Sequence, residues 1–185
     1  DAIREGRHRD AFSFLGPHNN TVRAWLPHAT EAWIVMGERV VRMRRIHDAG
    51  FYEIFLPQSP GRYRLRIALA SGEVQEFDDA YRFPALLSAF ELHLHGEGTN
   101  FESYKTLGAH CVTCDGVEGL RFAVWAPNAE MMSVVGDFNG WDRTRHPMRV
   151  RDGGIWELFI PGLGQGTHYK YAVLHTSGTV QLKFD

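Results

Sequence analysis

The stretch that decides the fold occurs twice in the chain: GFYEIFLP at residues 50–57 returns as GIWELFIP at residues 154–161. Three further pairs of matching blocks occur in the same order. They are LGPH at 15–18 with LGAH at 107–110, WLPHA at 25–29 with WAPNA at 125–129, and GRYRL at 61–65 with Gly166 and YKY at 169–171. Because chance does not readily produce four blocks in one order, the repeat predicts two homologous domains in tandem.

The repeat also sets the expected domain boundaries. We place the first domain at residues 1–84 and the second at residues 105–185, cut at its C-terminal end. A linker with short helices joins them at residues 85–104. Ser88 and Glu91 have the spacing of a capping box, and residues 100–108 predict a short helix that ends at Gly108.

Each copy has the pattern of an all-β domain. Residues 62–67 alternate strictly, which predicts Tyr63, Leu65 and Ile67 on one face of a strand and three arginines on the other. The remaining predicted strands are short and are separated by turn residues at intervals of about 8 to 12 residues. Residues 39–46 are predicted as one half-buried strand with a solvated arginine face. The fold class is therefore all-β, with two tandem immunoglobulin-like β-sandwiches joined by a short, partly helical linker.

Length and charge exclude several classes of protein. The chain has 185 residues, 20 Lys and Arg against 22 Asp and Glu, and a formal net charge of -2. Nucleic-acid binding is not expected, because that affinity depends on clustered uncompensated cations. No apolar run reaches the roughly 18 to 20 residues of a membrane span, and the first twenty residues are too charged for a signal peptide. We expect a cytoplasmic protein without a membrane partner, and one too short for a (β/α)8 barrel of about 250 residues.

The sequence offers no machinery for catalysis or for a cofactor. Cys111 and Cys114 form a single Cys-x-x-Cys, and the second half of a zinc site is missing. The ten histidines are scattered, and no Gly-x-Ser-x-Gly motif occurs. We therefore predict no catalytic residue, no metal and no cofactor in this chain.

The tryptophans carry the clearest functional signal. Trp25, Trp125 and Trp156 occupy strand positions, so we predict that all three pack in the core. Trp141 follows a strand in the turn-rich segment VGDFNGWD at residues 135–142. An aromatic ring in a loop on a rigid β scaffold suits the apolar face of a sugar, and Asn139 beside it offers hydrogen bonds to hydroxyls. The alternative is that Trp141 fills a gap against a neighbouring domain.

These residues resemble a known family. The segments RFAVWAPNA at residues 121–129 and VVGDFNGWD at residues 134–142 resemble the family-48 carbohydrate-binding module that precedes the barrel in branching and debranching enzymes of the α-amylase superfamily. The segments HGEG at 95–98, YKTLGAH at 104–110 and HPM at 146–148 narrow the resemblance to glycogen branching enzymes. The first repeat resembles the extra N-terminal sandwich of the longer form of those enzymes.

The resemblance implies a partner and a site. The partners would be α-glucans such as glycogen and maltooligosaccharides, and the catalytic barrel of the same protein, so that the fragment alone is inactive. In related glycogen-binding modules of kinase β-subunits, a turn Trp and a strand Lys contact glucose, and these positions fall on Trp141 and Lys170. A second stacking Trp in those modules is replaced here by Val180, and the first repeat lacks the Trp turn altogether.

Two alternatives stay open at this point. The pair of sandwiches could be purely structural and pack on the barrel without binding glucan. The chain could also come from a debranching or trehalose-releasing relative, although the tandem repeat and LGAH at residues 107–110 favour a branching enzyme.

Overall fold

The computed structural model describes residues 2–97 and 103–185, and it divides into two compact units. The N-terminal unit is Phe12–Phe83. The C-terminal unit joins the described residues before Phe12 to those from Pro84 onward. Arg143 holds the N-terminal residues to this unit, because its guanidinium donates to the carbonyl oxygens of Glu5 and Gly6 at 2.9 and 3.1 Å. A segment that the sequence placed in the first domain thus belongs to the C-terminal unit.

The N-terminal unit is built from two four-stranded antiparallel sheets. Its strands are β1 (Gly16–His18), β2 (Thr21–Trp25), β3 (Ala29–Met36), β4 (Arg39–Arg42), β5 (Arg44–His47), β6 (Phe51–Phe55), β7 (Arg64–Leu69) and β8 (Val74–Asp78). The strand orders are β1-β2-β6-β5 and β4-β3-β7-β8. Both sheets contribute to the core, whose buried members are Val22, Ala24, Ala29, Ala32, Ile34, Met43, Tyr52, Ile54, Leu56, Tyr63, Leu65 and Ile67.

The alternation predicted around β7 is confirmed. Tyr63, Leu65 and Ile67 are buried in the core, whereas Arg64 between them is exposed. Arg64 and Arg66 form ion pairs with Glu76 on the neighbouring strand β8, at 3.1 and 2.8 Å. The outer face of this strand is therefore a solvated face, and its arginines are paired across the sheet.

The prediction of a single strand over residues 39–46 is wrong. The chain forms two strands there: β4 pairs with β3, and β5 pairs with β6 in the other sheet. Met43 lies where the chain crosses between the sheets; it is buried, and its N–H donates to the carbonyl of Ala32 at 2.8 Å. Val40 and Ile46 are exposed, and both strands lie at sheet edges.

The C-terminal unit is a second pair of antiparallel sheets with two helices. Its elements are α1 (Ala89–Gly96), α2 (Ser103–Thr106), β9 (Gly108–Cys114), β10 (Val117–Trp125), β11 (Ala129–Gly136), β12 (Arg149–Val150), β13 (Ile155–Pro161), β14 (Tyr169–His175) and β15 (Val180–Lys183). The strand orders are β12-β13-β10-β9 and β11-β14-β15. The Phe122 ring of the first sheet meets the Tyr169 ring of the second at 4.9 Å between centroids. The predicted all-β fold is confirmed for both repeats.

In both copies of the repeat, a glycine packs closely against a proline. The N–H of Leu26 donates to the Gly50 carbonyl at 2.8 Å, and Ala126 donates to Gly154 at 2.9 Å. Both glycines have positive φ, and a Cβ atom on Gly50 would lie 2.5 Å from the Cα of Pro27. Only glycine allows this approach, which explains why the repeated stretch begins with Gly in each copy.

The repeated Leu-Gly-x-His block is a second shared lock. The His18 ring contacts the Leu15 carbonyl at 3.2 Å, and the His110 ring contacts the Leu107 carbonyl at 2.7 Å. The glycine between them has a φ of 87° in each copy. The repeated Leu-Gly-x-His spacing thus forms the same local turn at the start of each sandwich.

Helix α1 confirms the capping box predicted in the linker. The Ser88 hydroxyl accepts from the N–H of Glu91 at 3.2 Å, and the Glu91 carboxylate accepts from the N–H of Ser88 at 2.8 Å. Leu92 of this helix packs with Ala123 and Ile155 on the outer face of the β10–β13 pair. Of the helix predicted at residues 100–108, the part at residues 100–102 lies outside the described residues, and α2 covers Ser103–Thr106.

The prediction that three tryptophans fill the core holds for one of them. Trp156 is fully buried and donates from Nε1 to the Ala126 carbonyl at 3.1 Å. Trp125 is 56% exposed and Trp25 is only partly buried, so the prediction is wrong for Trp125 and overstated for Trp25. Both follow a core residue by an odd number of positions, and strand alternation therefore turns them to the outer face.

A buried carboxyl makes the stability of the N-terminal unit depend on pH. The Tyr63 hydroxyl donates to Asp79 at 2.5 Å, and burial raises the pKa of Asp79 to about 6 from an ordinary value of 3.8. The folded unit therefore binds more protons than the unfolded chain between these values. The stabilisation is complete below the unfolded pKa and is lost as the pH rises through about 6.

We expect Asp79→Asn to flatten this dependence. Wild type should lose roughly 2 kcal/mol of unfolding free energy from this group between pH 4 and pH 7, and the variant should not. Native-state hydrogen exchange of the β7 amides at both pH values measures this change in unfolding free energy. An equal slope in the two proteins would show that Asp79 is ionised in the folded state as it is in the unfolded chain.

Candidate carbohydrate-binding site

The turn after β11 presents Trp141 to solvent. The chain leaves β11 at Gly136, makes one tight helical turn over Asp137–Asn139, and passes through Gly140 and Trp141 with φ of 64° and 61°. A positive φ is uncommon for a bulky residue, and such strain clusters at functional sites. The Trp141 N–H donates to the Gly136 carbonyl at 2.9 Å and Nε1 donates to Asp137 at 3.0 Å. The indole, 43% exposed, is therefore held in one orientation.

Asn139 lies inside this turn. Its Oδ1 accepts from the N–H of Gly136 at 3.0 Å, and its Nδ2 lies 2.9 Å from the Val134 carbonyl and 3.0 Å from Nδ1 of His146. Burial lowers the pKa of His146 to about 4, so its ring is neutral at pH 7 and can accept this bond. The Asn139 amide is thus engaged by the protein, and a direct contact with a sugar hydroxyl remains an untested prediction.

Lys170 reaches the same surface from the adjacent strand. It lies on β14 opposite Val135 of β11, and its Nζ is 6.0 Å from the centroid of the Trp141 ring. The structure therefore brings together Trp141 and Lys170, which are 29 positions apart in the sequence. An aromatic face beside an ammonium group offers a sugar both a stacking surface and hydrogen-bond donors.

Sequence reasoning missed Phe184 at this surface. The Lys170 ammonium lies 4.4 Å from the centroid of the Phe184 ring, closer than it lies to Trp141. The signal was available, because Val180, Leu182 and Phe184 alternate along β15 and its continuation, and all three are exposed.

Other chemistry finds little support in the described residues. Within residues 2–97 and 103–185, no three His, Cys, Asp or Glu side chains are grouped so as to hold a metal. Cys111 and Cys114 both lie in strand β9, where Cys111 is exposed and Cys114 is buried. No helix in the described part of the chain has the length and apolar character that a membrane span requires.

Two family models match this chain. Residues 106–185 match the model of carbohydrate-binding module 48, the isoamylase N-terminal domain, and residues 1–81 match that of the N-terminal domain of alpha-1,4-glucan branching enzyme GlgB. The second sandwich is thus a carbohydrate-binding module of family 48. With the preceding domain, the chain is similar to the N-terminal region of 1,4-alpha-glucan branching enzymes.

Relatives with this name are similar over nearly the whole chain. The 1,4-alpha-glucan branching enzyme GlgB of Nitrobacter hamburgensis is 51% identical over 97% of this chain and 26% of its own length. That of Paramagnetospirillum magneticum is 46% identical over 96% of this chain and 25% of its own. The chain thus spans about a quarter of the length of these relatives. The pullulanase type I structure from Bacillus subtilis, complexed with maltose, is 12% identical over 92% of this chain and 24% of its own, with a TM-score of 0.35.

Proposed function

We propose that this chain is the non-catalytic N-terminal region of a 1,4-α-glucan branching enzyme and acts in glycogen biosynthesis in the cytoplasm. Its C-terminal sandwich binds an α-glucan chain, glycogen or a maltooligosaccharide, and steers it toward the catalytic barrel of the same protein. The proposal rests on one observation above the others: a fixed, exposed Trp141 indole with the Lys170 ammonium 6.0 Å from its ring.

The chemistry of this arrangement fits a glucose unit. The C–H face of a pyranose ring is apolar and matches a flat indole, which loses little rotamer entropy on binding. The ammonium of Lys170 has three donors for the hydroxyl oxygens at the ring edge. The hydrogen bond from Trp141 Nε1 to Asp137 keeps the indole in place before the sugar arrives, so less ordering is needed on binding.

The role of the module in the whole enzyme follows from this binding. Retaining enzymes of this kind cleave an α-1,4 link with two carboxylates through a glycosyl-enzyme intermediate, and a branching enzyme passes the glycosyl group to a sugar 6-hydroxyl in place of water. The barrel would supply both carboxylates, so the fragment alone should not turn over substrate. A module that holds one part of a glucan raises the effective concentration of the rest near the barrel.

Calorimetric titration with maltoheptaose tests the proposal. We expect Trp141→Ala to weaken binding by roughly 5- to 150-fold, taking the 1 to 3 kcal/mol of a base–aromatic stack as a guide. Trp125→Ala is a matched control, because Trp125 is the more exposed indole of the same unit and has no lysine in the described contacts of its ring. Its affinity should equal that of wild type.

Two outcomes would contradict the proposal. A wild-type chain that gives no heat at millimolar maltoheptaose would favour the purely structural role for the two sandwiches. Equal losses in both variants would place the site elsewhere or show a general effect on the fold, which thermal unfolding of each variant distinguishes.

A further inference from the structure

We propose that Phe184 is the second aromatic contact of the glucan site and that Lys170 is shared between Phe184 and Trp141. This inference rests on the proposed function and adds a residue and a ligand length to it. The glucan would lie across both rings, so that the site binds more than one glucose unit.

The register of the sheet places Phe184 beside Lys170. Strand β15 pairs antiparallel with β14, with Tyr171 opposite Lys183 and Ala172 opposite Leu182. Continuing this pairing by one residue brings Phe184 opposite Lys170, on the face of the sheet that carries Leu182. The 4.4 Å between Lys170 Nζ and the Phe184 ring centroid agrees with this register.

The apolar side chain of Phe184 is largely exposed to solvent. It is 78% exposed, the highest value among the large apolar side chains of the described residues. Val180 and Leu182 continue an exposed apolar row along the same face of β15. Exposed apolar surface of this kind marks a site of interaction, and here a cation lies over one end of it.

The geometry favours a sugar chain as the occupant of this face. Lys170 Nζ lies 4.4 Å from the centroid of the Phe184 ring and 6.0 Å from that of the Trp141 ring, so both rings have the same hydrogen-bond donor nearby. A stacked polyol needs this combination, because each of its rings presents an apolar face and a polar edge. A purely apolar partner would have to desolvate the ammonium without compensation.

Phe184 also supplies the second aromatic ring that related modules carry at the position of Val180. That position lacks an aromatic ring in this chain, and Phe184 places one four positions later, directly after β15, where alternation keeps it on the same face. The second stacking surface is therefore present but displaced along the strand. Binding should then depend on a glucan long enough to reach it.

The experiment compares Phe184→Ala with Phe184→Leu and Phe55→Ala in this chain, titrated with maltoheptaose and with maltose. Phe55, 75% exposed in the N-terminal unit, is the matched control. We expect Phe184→Ala to lower the affinity for maltoheptaose about 5- to 50-fold and Phe184→Leu to lower it nearly as much. Phe55→Ala should leave this affinity unchanged. Wild type should bind maltoheptaose more tightly than maltose, and this difference in affinity should be smaller in Phe184→Ala.

Each result has a definite reading. If Trp141→Ala loses affinity while Phe184→Ala binds both ligands as wild type does, the inference about Phe184 is wrong and the proposed function stands. If wild type binds neither ligand, the proposed function fails as well. If Phe184→Leu retains full affinity, the contact is apolar and not a stacked ring, which also overturns the inference. An unchanged affinity with a lowered Tm for Phe184→Ala would show that this face is covered by the protein itself.

Discussion

Gly50→Ala is expected to destabilise the N-terminal unit by roughly 2 to 5 kcal/mol, since a positive φ costs an L-residue about 1 to 2 and overpacking about 1 to 3. Gly50 has a φ of 90°, and an added Cβ would lie 2.5 Å from the Cα of Pro27 and 2.7 Å from the Leu26 carbonyl oxygen. These are backbone atoms, which cannot rotate away. The Leu26–Gly50 hydrogen bond would have to lengthen to relieve the contact.

Gly61→Ala is the control for this prediction. Gly61 also has a positive φ, 61°, but nothing lies within 4 Å of the added Cβ. It should therefore cost only the conformational part, about 1 to 2 kcal/mol. Thermal unfolding of the two variants, followed by circular dichroism, measures the difference. Equal losses would mean that the Gly–Pro approach is not what fixes the repeated stretch.

Glu157→Ala is expected to destabilise the C-terminal unit by about 3 to 5 kcal/mol, as for a broken buried ion pair. Glu157 is fully buried on β13, and its Oε1 accepts from the N–H groups of Leu86 and Leu87, the latter at 2.9 Å. Its Oε2 contacts the guanidinium of Arg151, which also donates to the Leu87 carbonyl at 3.1 Å. Removing the carboxylate leaves two N–H groups without an acceptor and the Arg151 cation without its counter-charge.

The loss should appear first in the linker. Hydrogen exchange of α1 amides is expected to accelerate more than that of β10 amides, because Leu86 and Leu87 directly precede the helix. Glu118→Ala is the matched control, since Glu118 is an exposed carboxylate in the same sheet and surface changes usually stay within about 0.5 kcal/mol. A Glu157→Ala protein as stable as Glu118→Ala would contradict this account of the linker.

Much of the fold is predictable because local chemistry and the repeat agree. Tyr63, Leu65 and Ile67 follow the period of a strand, and Ser88 with Glu91 caps a helix, so both features appear as expected. The prediction of one strand over residues 39–46 is wrong because the alternation of apolar and polar residues does not show where a chain crosses from one sheet to another. The burial of Met43 at this crossing depends on the tertiary structure.

The tryptophans show a second limit. Size and hydrophobicity suggested a core position for Trp125, yet its place after Val124 on β10 turns it outward, where its ring meets that of His95 at 5.9 Å. Its Nε1 donates to the Gly153 carbonyl at 3.0 Å, so the ring packs along the surface. Counting positions from Phe122 would have given the correct face.

The site was only partly predictable. Trp141 stood out as an aromatic in a turn, and the resemblance added Lys170, but the sequence could not give the 6.0 Å between them. The polarity of Asn139 suggests a contact with sugar hydroxyls, whereas its burial against Val134 and His146 depends on the folded turn. Phe184 is adjacent to Lys170 only through the register of β14 with β15.

One measurement tests the central claim most directly: titration of the ¹⁵N-labelled chain with maltoheptaose, followed through the indole N–H signals of its five tryptophans. A sugar stacked on Trp141 predicts a saturable shift of the Trp141 signal alone, while those of Trp25, Trp33, Trp125 and Trp156 stay in place. A saturable shift of Trp125 with Trp141 unmoved, or five unmoved signals at millimolar ligand, would contradict it.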